Sequence, residues 1–205
     1  MQHFCLPSIL LVLVTGSGCA TTGHATIELA TTTVIQRTSE DVRVADSKVK
    51  VTIGDITAGQ VLTRLDAGEE CLLGQRPMKP GDSVPFRLRG IDLDLGMSRM
   101  VNLLFGDDYA TFYLGTKDDV ARAQIHDFLE RIAESKFRFV IGTREVDGHE
   151  LARALERDVA RRSSPPSAKE FLDDIAVHPA GKPRYGAIVR DETYDIARWL
   201  RSSLY

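Results

Sequence analysis

The stretch VPFRLRGIDLDL, residues 84–95, decides the fold of this chain. Apolar and polar residues alternate through it, and the alternation changes phase at Gly90. A period of two is typical of a half-buried strand, so the phase change predicts a tight hairpin at Arg89-Gly90. In that hairpin Phe86 lies opposite Leu93 on the core face of the sheet.

The chain on both sides of this hairpin is rich in strand patterns. The same period of two occurs at Ile27 to Ile35, Val42 to Ile53, Met100 to Phe105 and Tyr109 to Leu114. Residues Ile56 to Leu65 instead predict a short helix. We therefore expect a β-meander that begins near Val84 and is preceded by further strands.

Helical spacing dominates after residue 115. Three pairs predict helix starts with a capping box, and they are Thr116/Asp119, Asp147/Glu150 and Ser167/Glu170. A last helix is expected after Asp191, with Trp199 and Leu204 on its apolar side, and single strands at Lys136 to Gly142 and Gly186 to Arg190. The whole pattern predicts an α+β fold, an antiparallel β-meander sheet packed with C-terminal helices.

The N-terminal segment is apolar and short. Phe4 to Thr15 is almost wholly apolar, which suits a signal-peptide core and is too short to span a bilayer. The run from Leu11 to Cys19 resembles the lipobox of a bacterial lipoprotein. The resemblance implies cleavage before Cys19, acylation of its thiol and, because Ala20 follows rather than Asp, sorting to the outer membrane. An ordinary signal peptide cut after Ala20 and an apolar strand are the alternatives.

These features divide the chain into four parts. Residues 1–18 form the lipoprotein signal peptide and residues 19–26 a polar tether. Residues 27–162 form the α+β domain, and residues 163–205 a helical extension that packs on the same domain. Pro165-Pro166 breaks the helical pattern at this last boundary.

Composition and cysteine count limit the function classes. Charged residues make up 27% of the chain and the formal net charge is −3, which gives no basic signal for nucleic acid. Removal of Cys5 and acylation of Cys19 leave Cys71, so the mature chain forms no internal disulfide. The apolar context Glu70-Cys71-Leu72-Leu73 predicts a buried, inert thiol.

The sequence contains none of the common catalytic motifs. We find no nucleophile elbow, phosphate-binding loop, His-Glu-x-x-His or Cys-x-x-Cys. The histidines that follow Cys19, namely His24, His126, His149 and His178, are scattered and lie at no metal-ligand spacing. We therefore expect no metal and no cofactor.

Asp92 and Asp94 are the strongest polar pair in the sequence. They share one face of a predicted strand, and paired carboxylates can bind a cation or do acid–base work. Cross-strand pairing with Arg87 and Arg89 is the alternative interpretation of the same residues.

The hairpin region also has a partial resemblance. Gly81 to Val84 and Arg87 to Asp92 are similar to parts of staphylococcal-nuclease-like domains. That family continues with a Pro-Glu whose Glu works in catalysis, whereas Leu93-Asp94-Leu95 follows here. The resemblance implies a hydrolase.

Three functional hypotheses follow. The first is a lipid-anchored, periplasm-facing binding or interaction protein, of the inhibitor or immunity type, with a protein partner in the cell envelope and no catalytic site. The second is an envelope hydrolase that uses the Asp92/Asp94 face with His126 or His149. The third is a structural component of an envelope assembly, docked through the helices around Trp199.

Overall fold

The structure is a computed structural model that describes residues 27–103, 106–176, 185–190 and 192–201. The predicted signal peptide, Cys19 and the tether lie outside the described residues. So do Asp191 and Leu204 of the predicted last helix.

The hairpin predicted at Arg89-Gly90 forms. Arg89 and Gly90 have φ values of 50° and 82°, the positive values that a two-residue hairpin turn requires. The strand register places Phe86 opposite Leu93. Leu93 is 1% exposed, so the predicted core face is indeed the buried one.

Two four-stranded antiparallel sheets share one apolar core within the described residues. The first sheet has the order β1-β8-β7-β6, with β1 at Ala30–Ile35, β6 at Ser83–Leu88, β7 at Ile91–Val101 and β8 at Tyr109–Gly115. The second has the order β2-β3-β4-β5, with β2 at Ser39–Val44, β3 at Ser47–Thr57, β4 at Gln60–Ala67 and β5 at Glu70–Met78. Their inward residues form a β-sandwich core.

The predicted helix at Ile56 to Leu65 is wrong. These residues form the end of β3, a turn and most of β4. Ala58 and Gly59 have φ values of 49° and 73°, so they make a two-residue hairpin turn. The apolar spacing fits a helix or a strand, and pairing with β3 and β5 decides between them.

Two further predictions fail at β-bulges. Met100 and Val101 belong to β7 rather than to a separate strand, because β7 continues to Val101 with a register shift between Met97 and Arg99, and the end of the predicted strand, residues 104–105, lies outside the described residues. Cys71 is exposed rather than buried. A second register shift, where β5 pairs with Leu65 and Asp66 of β4, turns Cys71 away from the core.

Helix α1 (Lys117–Glu134) lies between two cores. Its cap is the predicted one, because Thr116 Oγ1 accepts the Asp119 N–H at 3.3 Å. Its buried residues Val120 and Gln124 approach the outer face of the first sheet at Gly96. Its buried residues further along the helix pack in the second core.

The second core is formed by the helices and a third sheet. The helices are α1, α2 (Gly148–Ala160), α3 (Ala168–Glu170), which continues as a π-helical segment at Phe171–Ile175, and α4 (Ile196–Arg201). The third sheet has the order β10-β9-β11-β12, with β9 at Arg138–Ile141, β10 at Arg144–Val146, β11 at Tyr185–Val189 and β12 at Glu192–Asp195. Trp199 meets Phe139 edge to face at 5.5 Å in this core.

The predicted fold class is confirmed: the chain is α+β with antiparallel sheets. Asp147 and Ser167 are also the N-caps of their helices, and the full predicted capping box forms at Ser167/Glu170. Strand β12 was not expected, and it precedes the last helix, which begins at Ile196. Over the described part of the chain, no helix combines the length and apolar character that crossing a bilayer requires.

Candidate functional site

A cleft of about 540 Å³ lies over the outer face of the first sheet, beside α1. Its walls come from the end of β5, the turn that follows it, strands β6 and β7, the N-terminal half of α1 and the start of α3. This volume falls in the range of small-molecule sites. We call this feature the β6–β7 cleft.

One wall is a tight turn between β5 and β6. The Asp82 N–H donates to the Lys79 carbonyl oxygen at 2.9 Å, and the Lys79 N–H donates to Asp82 Oδ2 at 2.8 Å. Gly81 has a φ of +95°, and a Cβ there would lie 2.5 Å from Leu172 Cδ1. The positive φ therefore favours glycine in this turn, and the absence of a side chain leaves room for Leu172 of the π-helical segment.

The floor of the cleft contains a buried amide on α1. Gln124 has no exposed surface, and its Nε2 donates to the carbonyl oxygens of Asp82 at 3.0 Å and Met97 at 2.9 Å. Both amide protons are thereby used, which fixes the side chain. Its Oε1 is buried and accepts no hydrogen bond from the described residues.

Asp94 supplies a carboxylate at the same floor. Its Oδ2 accepts a hydrogen bond from Ser83 Oγ at 2.7 Å. Asp94 lies opposite Pro85 in the register and is half-buried. The cross-strand partner expected for it, Arg89, lies in the hairpin turn instead.

Cationic side chains surround the cleft from three elements. Arg76 comes from β5, Lys117 from α1 and Lys169 from α3. Lys169 is paired with Asp173, whose hydrogen bond raises the pKa of this lysine. In the described part of the chain, Arg76 and Lys117 have no carboxylate within ion-pair distance.

The candidate residues from the sequence do not converge on one site. Arg87 and Asp92 form an exposed ion pair of 2.8 Å, and the arginine's hydrogen bond lowers the pKa of Asp92. His126 Nε2 lies 3.2 Å from Glu130 Oε1 on the surface of α1, and His149 is exposed in the first turn of α2. Asp94 is the one member of this group that lines the cleft.

A half-buried ionic cluster between α1 and β7 was not expected from the sequence. Arg131 donates from Nη1 to the Ser98 carbonyl at 3.3 Å and from Nη2 to the Leu200 carbonyl at 3.1 Å. Burial raises the pKa of Asp127, against the opposite effect of Arg131 and Arg99. Burial also lowers the pKa of Arg131 to about 10. The cluster joins α1 to β7 and α4.

Comparison with known proteins identifies no relative. No protein-family model, curated protein or solved structure matches the chain. Within the described ranges, no three histidine, cysteine or carboxylate side chains form a group that could hold a metal ion. Any function must therefore be argued from the geometry of the cleft and from the N-terminal sequence.

Proposed function

We propose that this protein is a lipid-anchored, periplasm-facing binding protein of the bacterial cell envelope. The β6–β7 cleft is its ligand site, and acylated Cys19 is its attachment to the outer membrane. The geometry of the cleft described above supports the ligand site. The lipobox-like run from Leu11 to Cys19 supports the membrane anchor.

The β6–β7 cleft is the observation that supports a ligand site. Its volume of about 540 Å³ falls in the range of small-molecule sites, and charged side chains of both signs line it. Gln124 fixes the floor of the cleft, because its Nε2 donates to the carbonyl oxygens of Asp82 and Met97.

The shape of the site supports the same conclusion. The cleft brings together side chains from α1 and from three strands, and it places charged groups around an apolar lining. Sites that bind small molecules combine an apolar lining with a few fixed polar groups in this way. Acyl chains on Cys19 would attach the protein to the membrane, because each methylene buried in the bilayer contributes about 0.8 kcal/mol. The folded part then needs no membrane-binding surface of its own.

The anchor is tested by labelling cells with a radioactive fatty acid. We expect the wild-type protein to carry label and to fractionate with the outer membrane. The Cys19→Ala variant should carry no label and should leave the membrane fraction. The Cys71→Ser variant is the matched control, and it should behave like wild type. Label retained by the Cys19→Ala variant would show that the anchor is wrong.

The ligand site is tested by native mass spectrometry of protein extracted from membranes in mild detergent. We expect a bound small molecule on the wild-type protein and none on Ala121→Trp, whose indole would occupy the cleft. Ala160→Trp, on an exposed position of α2, is the control and should retain the molecule. Lys117→Glu serves as a second cleft variant. Equal occupancy in all four proteins would contradict the assignment.

A further inference from the structure

Three arginines lie in a row along the exposed face of α2. Arg153 and Arg157 belong to the helix, Arg161 is its C-cap, and all three are exposed. Four helical residues advance about 6 Å along the axis and turn about 40° beyond a full circle, so these side chains share one side of the helix. Leu151 and Leu155 are buried on the opposite side, in the second core. We call the three arginines the arginine row.

The positive charge of this row is largely uncompensated. Among residues 27–103, 106–176, 185–190 and 192–201, no carboxylate lies within ion-pair distance of Arg153 or Arg157. Arg161 Nη1 lies 3.3 Å from Asp158 Oδ1, yet 66% of the arginine side chain stays exposed. Glu156 is exposed next to Arg157 in the sequence and pairs with neither helical arginine. The row therefore offers positive charge to a partner outside the chain.

The same face offers no large apolar side chain to a partner. Ala160 is exposed three residues after Arg157, and the large apolar residues that are exposed in the described chain all lie outside α2. Interfaces between proteins have a core that is depleted of charge, which this face does not provide. Phosphate groups fit it better, because each guanidinium can donate two parallel hydrogen bonds to one phosphate.

The proposed anchor would keep the domain beside a surface of such phosphates. Eight peptide bonds separate Cys19 from Ile27, the first described residue, and they span at most about 29 Å. A domain of this size is about 40 Å across. Because the tether is shorter than the domain is wide, the folded part stays at the bilayer and one of its faces meets the headgroups.

We propose that the arginine row binds the phosphate groups of an anionic phospholipid bilayer and so turns α2 towards the membrane. The acyl chains on Cys19 supply the attachment, and the row sets which face of the domain meets the headgroups. This inference rests on the proposed function, because the anchor brings the domain to the bilayer. Each basic residue near an anionic surface strengthens binding about fivefold, and salt screens the effect.

A fluorescent label on α2 tests the proposal in vesicles. The acylated protein with Cys71→Ser and Ala160→Cys is labelled at position 160 with an environment-sensitive dye. It is then reconstituted into phosphatidylcholine vesicles with or without phosphatidylglycerol. We expect a blue shift of the emission in the anionic vesicles alone, and loss of that shift in about 0.5 M salt, where the Debye length is below about 5 Å. The same dye on native Cys71 of β5 is the control, and its emission should not shift.

Charge variants identify the residues that make the contact. Arg153→Gln/Arg157→Gln should lose the shift, whereas Arg153→Lys/Arg157→Lys should keep most of it. Arg43→Gln/Arg89→Gln removes the same charge from exposed positions on β2 and the β6–β7 turn, and it should keep the shift. An unchanged shift in the glutamine variant of α2, or no shift in any anionic vesicle, would overturn the proposal.

An acidic protein is the other partner that the charge of the row would fit. Polyglutamate, added to the anionic vesicles at an equal concentration of negative charge, tests this alternative. We expect the blue shift to persist. Its loss would favour an acidic protein and overturn the choice of lipid.

Flotation of the vesicles separates failure of this inference from failure of the anchor. Acylated protein should float with neutral and anionic vesicles alike. If it floats with both and the dye does not shift, the inference fails and the anchor stands. If it floats with neither, the anchor of the proposed function fails as well.

Discussion

Gln124 of α1 lies directly against Gly96 of β7, where a Cβ would lie 2.8 Å from Gln124 Cδ. The absence of a side chain at Gly96 lets the helix approach the strand, and the amide then reaches the backbone of the same strand at Met97. This contact sets the position of α1 and therefore the shape of the β6–β7 cleft.

Gly96→Ala should destabilise the protein. The added methyl would also lie 2.3 Å from Val120 Cγ1, so α1 must move away from the sheet. Overpacking of this kind costs about 1–3 kcal/mol. Urea unfolding measures it, with Gly74→Ala of β5 as control, because a Cβ there meets nothing within 4 Å. Equal stabilities of the two variants would contradict the packing described here.

Arg131→Met should also destabilise the protein, for an electrostatic reason. The change removes two hydrogen bonds to carbonyl groups and leaves Asp127 without the charge that most favours its ionised form. Removal of one partner from a fully buried pair costs about 3–5 kcal/mol, and because Arg131 and Asp127 are half-buried we expect a loss of about 2 kcal/mol. Arg43→Met, on the exposed side of β2, is the matched control, with an expected change below about 0.5 kcal/mol in urea unfolding. A loss for Arg131→Met as small as that of the control would show that the cluster is not structural.

The half-buried carboxyl of Asp127 should give the folding equilibrium a specific pH dependence. Its pKa is raised above the ordinary value of 3.8, so the folded protein holds this proton more tightly than the unfolded chain. The contribution of Asp127 to stability is therefore largest in acid. It falls as the pH rises from the ordinary pKa of the carboxyl through its raised pKa in the folded protein. The free energy of unfolding of wild type minus that of Asp127→Asn should decrease from about pH 4 towards neutral pH. A difference that rises with pH, or that does not change, would contradict the burial of this carboxyl.

The thiol of Cys71 should react in the folded protein. It is exposed on β5, so a thiol reagent reaches it without unfolding. Titration of the native wild-type protein should give one more reactive thiol per chain than titration of Cys71→Ser. If the additional thiol reacts only in denaturant, Cys71 is buried in the folded protein, which would contradict the register shift that exposes it.

Local signals in the sequence predicted the features that depend on a few neighbouring residues. The hairpin at Gly90 and the helix caps at Thr116, Asp147 and Ser167 are of this kind. Each rests on backbone geometry or on a hydrogen bond across three positions, so alternation and spacing are sufficient to find it.

Features that depend on distant contacts were missed. Gln124 looks like an ordinary polar residue of a helix until the chain brings Asp82 beside it, 42 positions away. The exposure of Cys71 follows from a register shift between β4 and β5. The residues next to Cys71 in the sequence do not predict that shift. The cleft is missed for the same reason, because its walls come from residues between Arg76 and Lys169.

The proposed function makes the β6–β7 cleft the ligand site of a membrane-anchored protein. Its most direct test is a crystal structure of the full-length protein extracted from membranes with its lipid attached. We expect electron density for a small molecule in the β6–β7 cleft, beside Asp94 of β7 and Lys117 of α1. Density for water alone, in protein that carries the acyl group on Cys19, would contradict it.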